Sequence, residues 1–85
     1  MLTIEAGGDG VVVMKGRLDA AQAAHAQGVL DQVSGTVTLD VAGLEYISSA
    51  GLGVLLRTHK RLMAGGGRLR LVNVGNHIFD IFRYS

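Results

Sequence analysis

The alternation of apolar and polar residues changes period several times along the chain and divides it into short elements. Residues 1–6 alternate weakly and run into Gly7-Gly8-Asp9-Gly10, which predicts an edge strand closed by a turn. Val11, Val12, Val13 and Met14 follow as a β-branched run that stops at Gly16, a pattern suited to a strand buried on both faces. From Ala20 to Val33 the period becomes helical, with Gln22, Ala23, Ala26, Val29, Leu30 and Val33 on one side and His25, Asp31 and Gln32 away from it. Asp19 stands at the N-cap position of this helix, Gly28 weakens its middle, and Gly35 marks its exit. Thr36 to Val41 returns to strict alternation, Val37, Leu39 and Val41 against Thr36, Thr38 and Asp40, and predicts a strand. The next helix is expected from Ser48 or Ser49 to about Ala64, with an apolar stripe of Leu52, Leu55, Leu56, Leu62 and Met63. Gly65-Gly66-Gly67 ends it, because glycine accepts the left-handed conformation of a helix C-cap. Arg68 to Val74 reads as a further strand, and Asn76 opens a last helical segment carrying Ile78, Phe79, Ile81 and Phe82.

Strand, strand, helix, strand, helix, strand, helix predicts an α/β fold, a mixed β-sheet of about four strands packed against α-helices. A chain of 85 residues leaves room for one domain, residues 1–85. Apolar residues make up 48%, yet they are mostly Val, Leu and Ala, with two Phe, two Tyr and no Trp. Such a composition fills a thin two-layer core and leaves no material for a deep, enclosed substrate cavity.

The absence of cysteine removes disulfides, thiolate metal ligands and thiol catalysis. The start of the chain is too short and polar for a signal peptide, and no stretch approaches the roughly 18 apolar residues of a membrane helix. The expectation is a cytoplasmic protein without membrane contact. A net charge of +1 gives no footprint for nucleic acid, and the cluster Arg57, Lys60 and Arg61 fits the solvated face of a helix.

The chemistry concentrates between Val41 and Leu56, VAGLEYISSAGLGVLL. Here a strand passes through a short turn into a helix whose first residues are serine, alanine and glycine. The first N–H groups of a helix lack internal partners and carry the positive end of its dipole. A serine at this point caps the helix, and a phosphoserine would set a charge of about −1.5 to −2 beside the same groups. Ala50, Gly51 and Gly53 leave the backbone open to a partner protein.

Enzymatic readings fail on spacing. His59 lies within the apolar stripe, and ten residues at a rise of about 1.5 Å place it about 15 Å from Ser49 on one helix. It is expected to be packed and hydrogen-bonded instead. A G-x-S-x-G elbow is absent, because Ile47 occupies its first glycine position. Gly51 and Gly53 lack the third glycine and the acidic ribose ligand of a dinucleotide loop. His25, His59 and His77 fall on separate elements, so neither a metal site nor a cofactor is expected.

The segment LDVAGLEYISSAGLGVLLRTHKRLMAGGGRLRLVNV resembles the core of a STAS domain of the anti-sigma factor antagonist type, and GRLDAAQAAHAQ is similar to that family's first strand-to-helix segment. Together they run from about Val11 to Arg83. The resemblance implies a partner-switching regulator and no catalysis: the unphosphorylated protein binds a serine kinase that doubles as anti-sigma factor, phosphorylation breaks the complex, and a PP2C-type phosphatase restores it. The family's phosphoacceptor is the serine two residues before the glycine, which is Ser49 here. Ser48 stands where relatives often carry Asp, and Ala50 where many have a second Ser or Thr.

The partner surface implied is Ser48, Ser49, Ala50, Gly51, Leu52 and Gly53 with Arg57 and, beside the turn, Asp19. A rival reading is a non-switching STAS subunit, for example on the ATPase of a lipid transporter, using the same turn as a fixed docking face. The family usually continues beyond a Phe-x-x-Ser-Gly segment, whereas this chain stops at Ser85, which fits a truncated chain, cover supplied by a partner subunit or a minimal version of the domain. That leaves Phe79, Phe82 and Tyr84 short of part of their usual cover.

Overall fold

The computed structural model describes residues 1–83. In chain order its elements are β1 (Leu2–Gly8), β2 (Val11–Leu18), α1 (Ala23–Leu30), β3 (Thr36–Ile47), α2 (Ser49–Ala64), β4 (Arg68–Val72) and α3 (Asn76–Arg83). The strands form one four-stranded sheet in the order β1-β2-β3-β4. β1 and β2 pair antiparallel as a hairpin, whereas β2–β3 and β3–β4 are parallel, bridged by α1 and α2 respectively. The α/β class and mixed sheet expected from the residue pattern are those observed.

Successive right-handed crossovers in one direction along a sheet place their helices on the same face. Accordingly Met14, Leu18, Leu39, Val41, Leu44 and Ile47 from the strands meet Ala26, Leu30, Val54, Leu62 and Ile78 from the helices in one buried cluster. Val11 and Val13 point to the opposite face and are only half-buried. The β2 run is therefore covered on one side, not on both as its composition predicts.

Several boundaries differ from the pattern, each for a local reason. β3 does not stop at Val41 but continues to Ile47 through two irregularities in its pairing with β2. Asp40 holds the first of these: its Oδ1 accepts the Ala42 N–H at 3.0 Å and the Asn73 side-chain amide at 3.2 Å. The Ala42 bond, then the Asn73 bond, with a smaller contribution from Lys15, hold the Asp40 carboxyl below its ordinary value. β4 ends at Val72 instead of Val74 because Asn73 turns the chain with φ 58°.

Helix α1 occupies only the middle of its predicted span. Asp19 Oδ1 accepts the Gln22 N–H at 3.1 Å and so fixes the turn before the helix, while Gln22 is the N-cap residue and makes no side-chain cap bond. At the other end Gln32 and Val33 donate three residues back, to Val29 and Leu30, so the helix tightens and ends. Arg61 of α2 closes this end, its Nη2 donating to the carbonyls of Leu30 at 2.8 Å and Val33 at 2.6 Å. A cation at the exposed carbonyls of a helix C-terminus is favourably placed.

On α2 the buried line is Gly51, Val54, Leu55, Thr58 and Leu62. Leu56 and Met63 each follow a buried position by one residue, about 100° further round the helix, and are 58% and 56% exposed. They leave the stripe predicted for them. The helix ends as the glycines predict: Gly66, φ 90°, lies between two amides that reach back, its own to Met63 O and that of Gly67 to Leu62 O. His59 is packed and bonded as expected, its Nδ1 accepting the Leu69 N–H at 3.1 Å and tying α2 to β4. In α3, Ile78 is buried, Phe82 half-buried and Phe79 52% exposed; Tyr84 lies outside the described residues.

Since Arg61 bonds two carbonyls at the end of α1, one of them shared with the Val33 amide, Arg61→Ala should lower unfolding stability by about 1 kcal/mol in urea melts, with Arg61→Lys losing less.

Candidate functional site

The turn from β3 into α2 is built on one carbonyl. Ser48 has an extended backbone, φ −91° and ψ 173°, and stands as the N-cap of α2. Its N–H donates to the carbonyl of Leu18, at the end of β2, at 2.9 Å. Its hydroxyl donates to the same carbonyl at 3.4 Å and accepts the Gly51 N–H at 3.1 Å. Capping is thus combined with a tie across the sheet.

Gly51 lets the helix come this close. A Cβ built there would lie 2.6 Å from the Leu18 carbonyl oxygen, 2.8 Å from Leu18 Cγ and 2.9 Å from Ile47 Cγ1. These are overlaps with backbone and packed core, so glycine is the residue this contact admits. Gly51 is accordingly buried and shapes the turn from beneath, not on the exposed surface where the sequence pattern puts it.

Ser49 is the first residue of α2 and differs from its neighbour in every respect. It is exposed, and its hydroxyl has no hydrogen-bond partner among the described residues. The N–H groups of Ser49 and Ala50 likewise have no acceptor among them, so the positive end of the helix is open there. No base among the described residues touches the Ser49 hydroxyl, which is accessible to another protein's active site.

The remaining predicted residues spread around this point. Ala50 is exposed, Leu52 and Gly53 are half-buried, and Asp19 is half-buried directly after Leu18, at the start of the connection from β2 to α1. Arg57, exposed, lies two helical turns on. Its Nε donates to Gln27 Oε1 of α1 at 3.1 Å, and its Nη1 is 3.2 Å from the position a Cβ on Gly53 would take. Gln27 in turn donates to Asp31 Oδ1 at 2.9 Å and to the buried Thr58 Oγ1 at 3.2 Å. On the other side, the Arg17 guanidinium sits 4.5 Å from the centroid of the Tyr46 ring, its cross-strand neighbour. Neither Gln27, Leu18 nor Tyr46 carries a local sequence signal for the site, since each reaches it through pairing distant in the chain.

Elsewhere a groove between α2, β4 and α3 is lined by Leu52, Leu55, Leu56, Leu69, Leu71 and Phe82. Its polar lining side chain, His59, holds the Leu69 amide through Nδ1, and the rest of the lining is apolar. No helix among the described residues is long and apolar enough to cross a membrane.

A small mixed sheet covered on one face, with a serine-capped helix entering from its third strand, defines a compact α/β domain of one sheet and three helices among the described residues. The chain belongs to the STAS domain family: the family described as "Mlab, STAS domain" matches residues 2–85. BtrV of Bordetella bronchiseptica, a presumptive anti-sigma factor antagonist, is 34% identical over 83 residues, covering 91% of this chain and 72% of that protein. The structure of the anti-sigma factor antagonist SpoIIAA in its unphosphorylated form superposes with a TM-score of 0.75 at 21% identity, covering 100% of this chain and 84% of that one. The phosphorylated form of Bacillus SpoIIAA gives the same TM-score, 0.75, at 21% identity over 99% of this chain and 82% of that one. These superpositions share the fold.

The two serines should separate in stability measurements. Ser48→Ala removes the side-chain cap and the hydroxyl's bond to Leu18 while keeping the backbone one, and is expected to cost about 1–2 kcal/mol, whereas Ser49→Ala should stay within about 0.5 kcal/mol of the parent. The two glycines should separate as well. Gly51→Ala is expected to lower the thermal midpoint sharply, while Gly53→Ala, meeting only the far end of Arg57, should raise stability by up to about 1 kcal/mol through helix propensity. Equal effects within either pair would refute the packing described.

Proposed function

We propose that the protein is an anti-sigma factor antagonist in a partner-switching pathway, a binding protein and phosphoryl acceptor, not an enzyme. The observation that carries this reading is the contrast between adjacent serines: Ser48 is locked by the Leu18 carbonyl and the Gly51 amide, while the Ser49 hydroxyl is exposed and has no bond among the described residues. Homology to BtrV, 34% identical, supports the general role.

In this reading the unphosphorylated face, Ser49, Ala50, Leu52, Gly53 and Arg57 with Asp19 at its margin, docks onto a serine kinase that doubles as anti-sigma factor and frees the sigma factor. The kinase transfers the γ-phosphoryl group of ATP to Ser49 Oγ, the hydroxyl proton passes to the kinase's base, and ADP leaves. A dianion then occupies the contact face and the complex separates. A PP2C-type phosphatase hydrolyses the phosphoserine and restores docking. Such a switch operates in the cytoplasm.

A second reading is favoured by one finding, the family description "Mlab, STAS domain" over residues 2–85. There the same turn is a fixed docking face on a larger assembly, such as the ATPase of a lipid transporter, and Ser49 is a contact, not a switch.

Intact mass after incubation with ATP and the serine kinases of the same genome separates the two. A switch predicts one added phosphate, lost in Ser49→Ala, with Ser49→Asp abolishing kinase binding and Ser49→Ala preserving it. A fixed contact predicts no phosphate and similar modest losses in both variants.

A further inference from the structure

The fate of a phosphoryl group on Ser49, the acceptor in the reading above, depends on what surrounds it. Ser49, Gly53 and Arg57 lie four residues apart on one ridge of α2. Helical side chains lean toward the N-terminus, so Arg57 reaches back over Gly53 in the direction of Ser49. The guanidinium is already there: its Nη1 is 3.2 Å, and its Cζ 3.8 Å, from the Cβ position of Gly53. Gly53 has no side chain to occupy this lane. Ser49 and Arg57 are about 12 Å apart along the axis, and the guanidinium at Gly53 has already covered the half of that span nearer Arg57.

Among the described residues Arg57 is held in its present place by a neutral acceptor, Gln27 Oε1 at 3.1 Å, at an exposed site. The other charged groups at this end of the sheet are engaged differently. Asp19 accepts the Gln22 amide, Arg17 lies over the Tyr46 ring, and Asp31 accepts from Gln27. A phosphate dianion outcompetes an amide oxygen for a guanidinium, because charge-assisted bonds are roughly twice as strong and arginine matches phosphate with two parallel donors.

We propose that Arg57 is the internal receptor of a phosphoryl group on Ser49: parked on Gln27 in the unmodified protein, it crosses Gly53 and pairs with the phosphate once that is present. Modification then alters the docking face twice. It adds negative charge at the start of α2 and withdraws a cation from the place where a partner would meet it. Gln27, released from Arg57, keeps its bonds to Asp31 and Thr58, so α1 stays anchored.

The test needs no kinase, and its failure is distinct from failure of the partner switch. Phosphoserine is incorporated at position 49 of the full chain during translation, and its second ionisation is followed by phosphorus NMR in the parent, Arg57→Gln, Gly53→Leu and Lys60→Gln backgrounds. A neighbouring guanidinium favours the dianion, so the phosphate of the parent should titrate about 0.5 or more below that of Arg57→Gln. Gly53→Leu, which fills the lane with Arg57 intact, should titrate with Arg57→Gln, and Lys60→Gln with the parent. Equal titration in the parent and Arg57→Gln overturns the proposal. Arg57 is exposed, so its variant folds and decides the question even if Gly53→Leu does not.

Discussion

The carbonyl oxygen of Leu18 is the fixed point of the molecule's functional end. It closes β2, accepts the backbone and hydroxyl of Ser48, and lies against the bare Cα of Gly51. Three elements therefore converge on one atom, and the start of α2 has a single permitted position relative to the sheet. This close approach explains why β3 runs to Ile47 through its irregular pairing: the strand must deliver Ser48 to the level at which β2 ends. Buried neighbours at this junction, Leu44 and Ile47, make the arrangement part of the core and not a loop attached to it.

The rest of the structure is anchored in a different way. Helix α1 fully buries Ala26 and Leu30, a smaller apolar face than that of α2, and adds polar ties to it, Arg61 on its terminal carbonyls and Gln27 to Thr58. Apolar burial holds both helices, with side-chain hydrogen bonds taking a larger share for α1. Bonds of the second kind each contribute modestly and compete with water, which makes α1 the softer of the two helices beside the turn.

Much of this was legible in the residue pattern, and the limits of legibility are instructive. Periodicity located every element, and the serine-glycine run placed the start of α2 correctly, because helix caps and glycine exits are written in adjacent residues. What adjacent residues do not contain is what the sheet decides. β3 looked finished at Val41 because the bulge that carries it onward depends on Asp40 and on Asn73, 33 residues away. Leu56 and Met63 looked buried because a helical wheel cannot say where a stripe's edge falls; the neighbouring strands and helices set that edge. Asp19 looked like a helix cap and instead fixes the turn before it. At the site, the identity of Ser48 as cap was readable, but its second bond to Leu18 and the Arg57–Gln27 pair join positions about thirty residues apart and have no local signature.

The rigidity of the turn has a consequence for how it can be read. A flexible tail is recognised by the order of its side chains, since an enzyme can draw it out and inspect it residue by residue. The Ser48–Gly51 segment cannot be drawn out without breaking the Leu18 contact and uncovering the core beneath it. Whatever engages Ser49 must be moulded to a solid surface and take its cues from shape. A short peptide copied from this stretch would carry the same letters and none of the meaning.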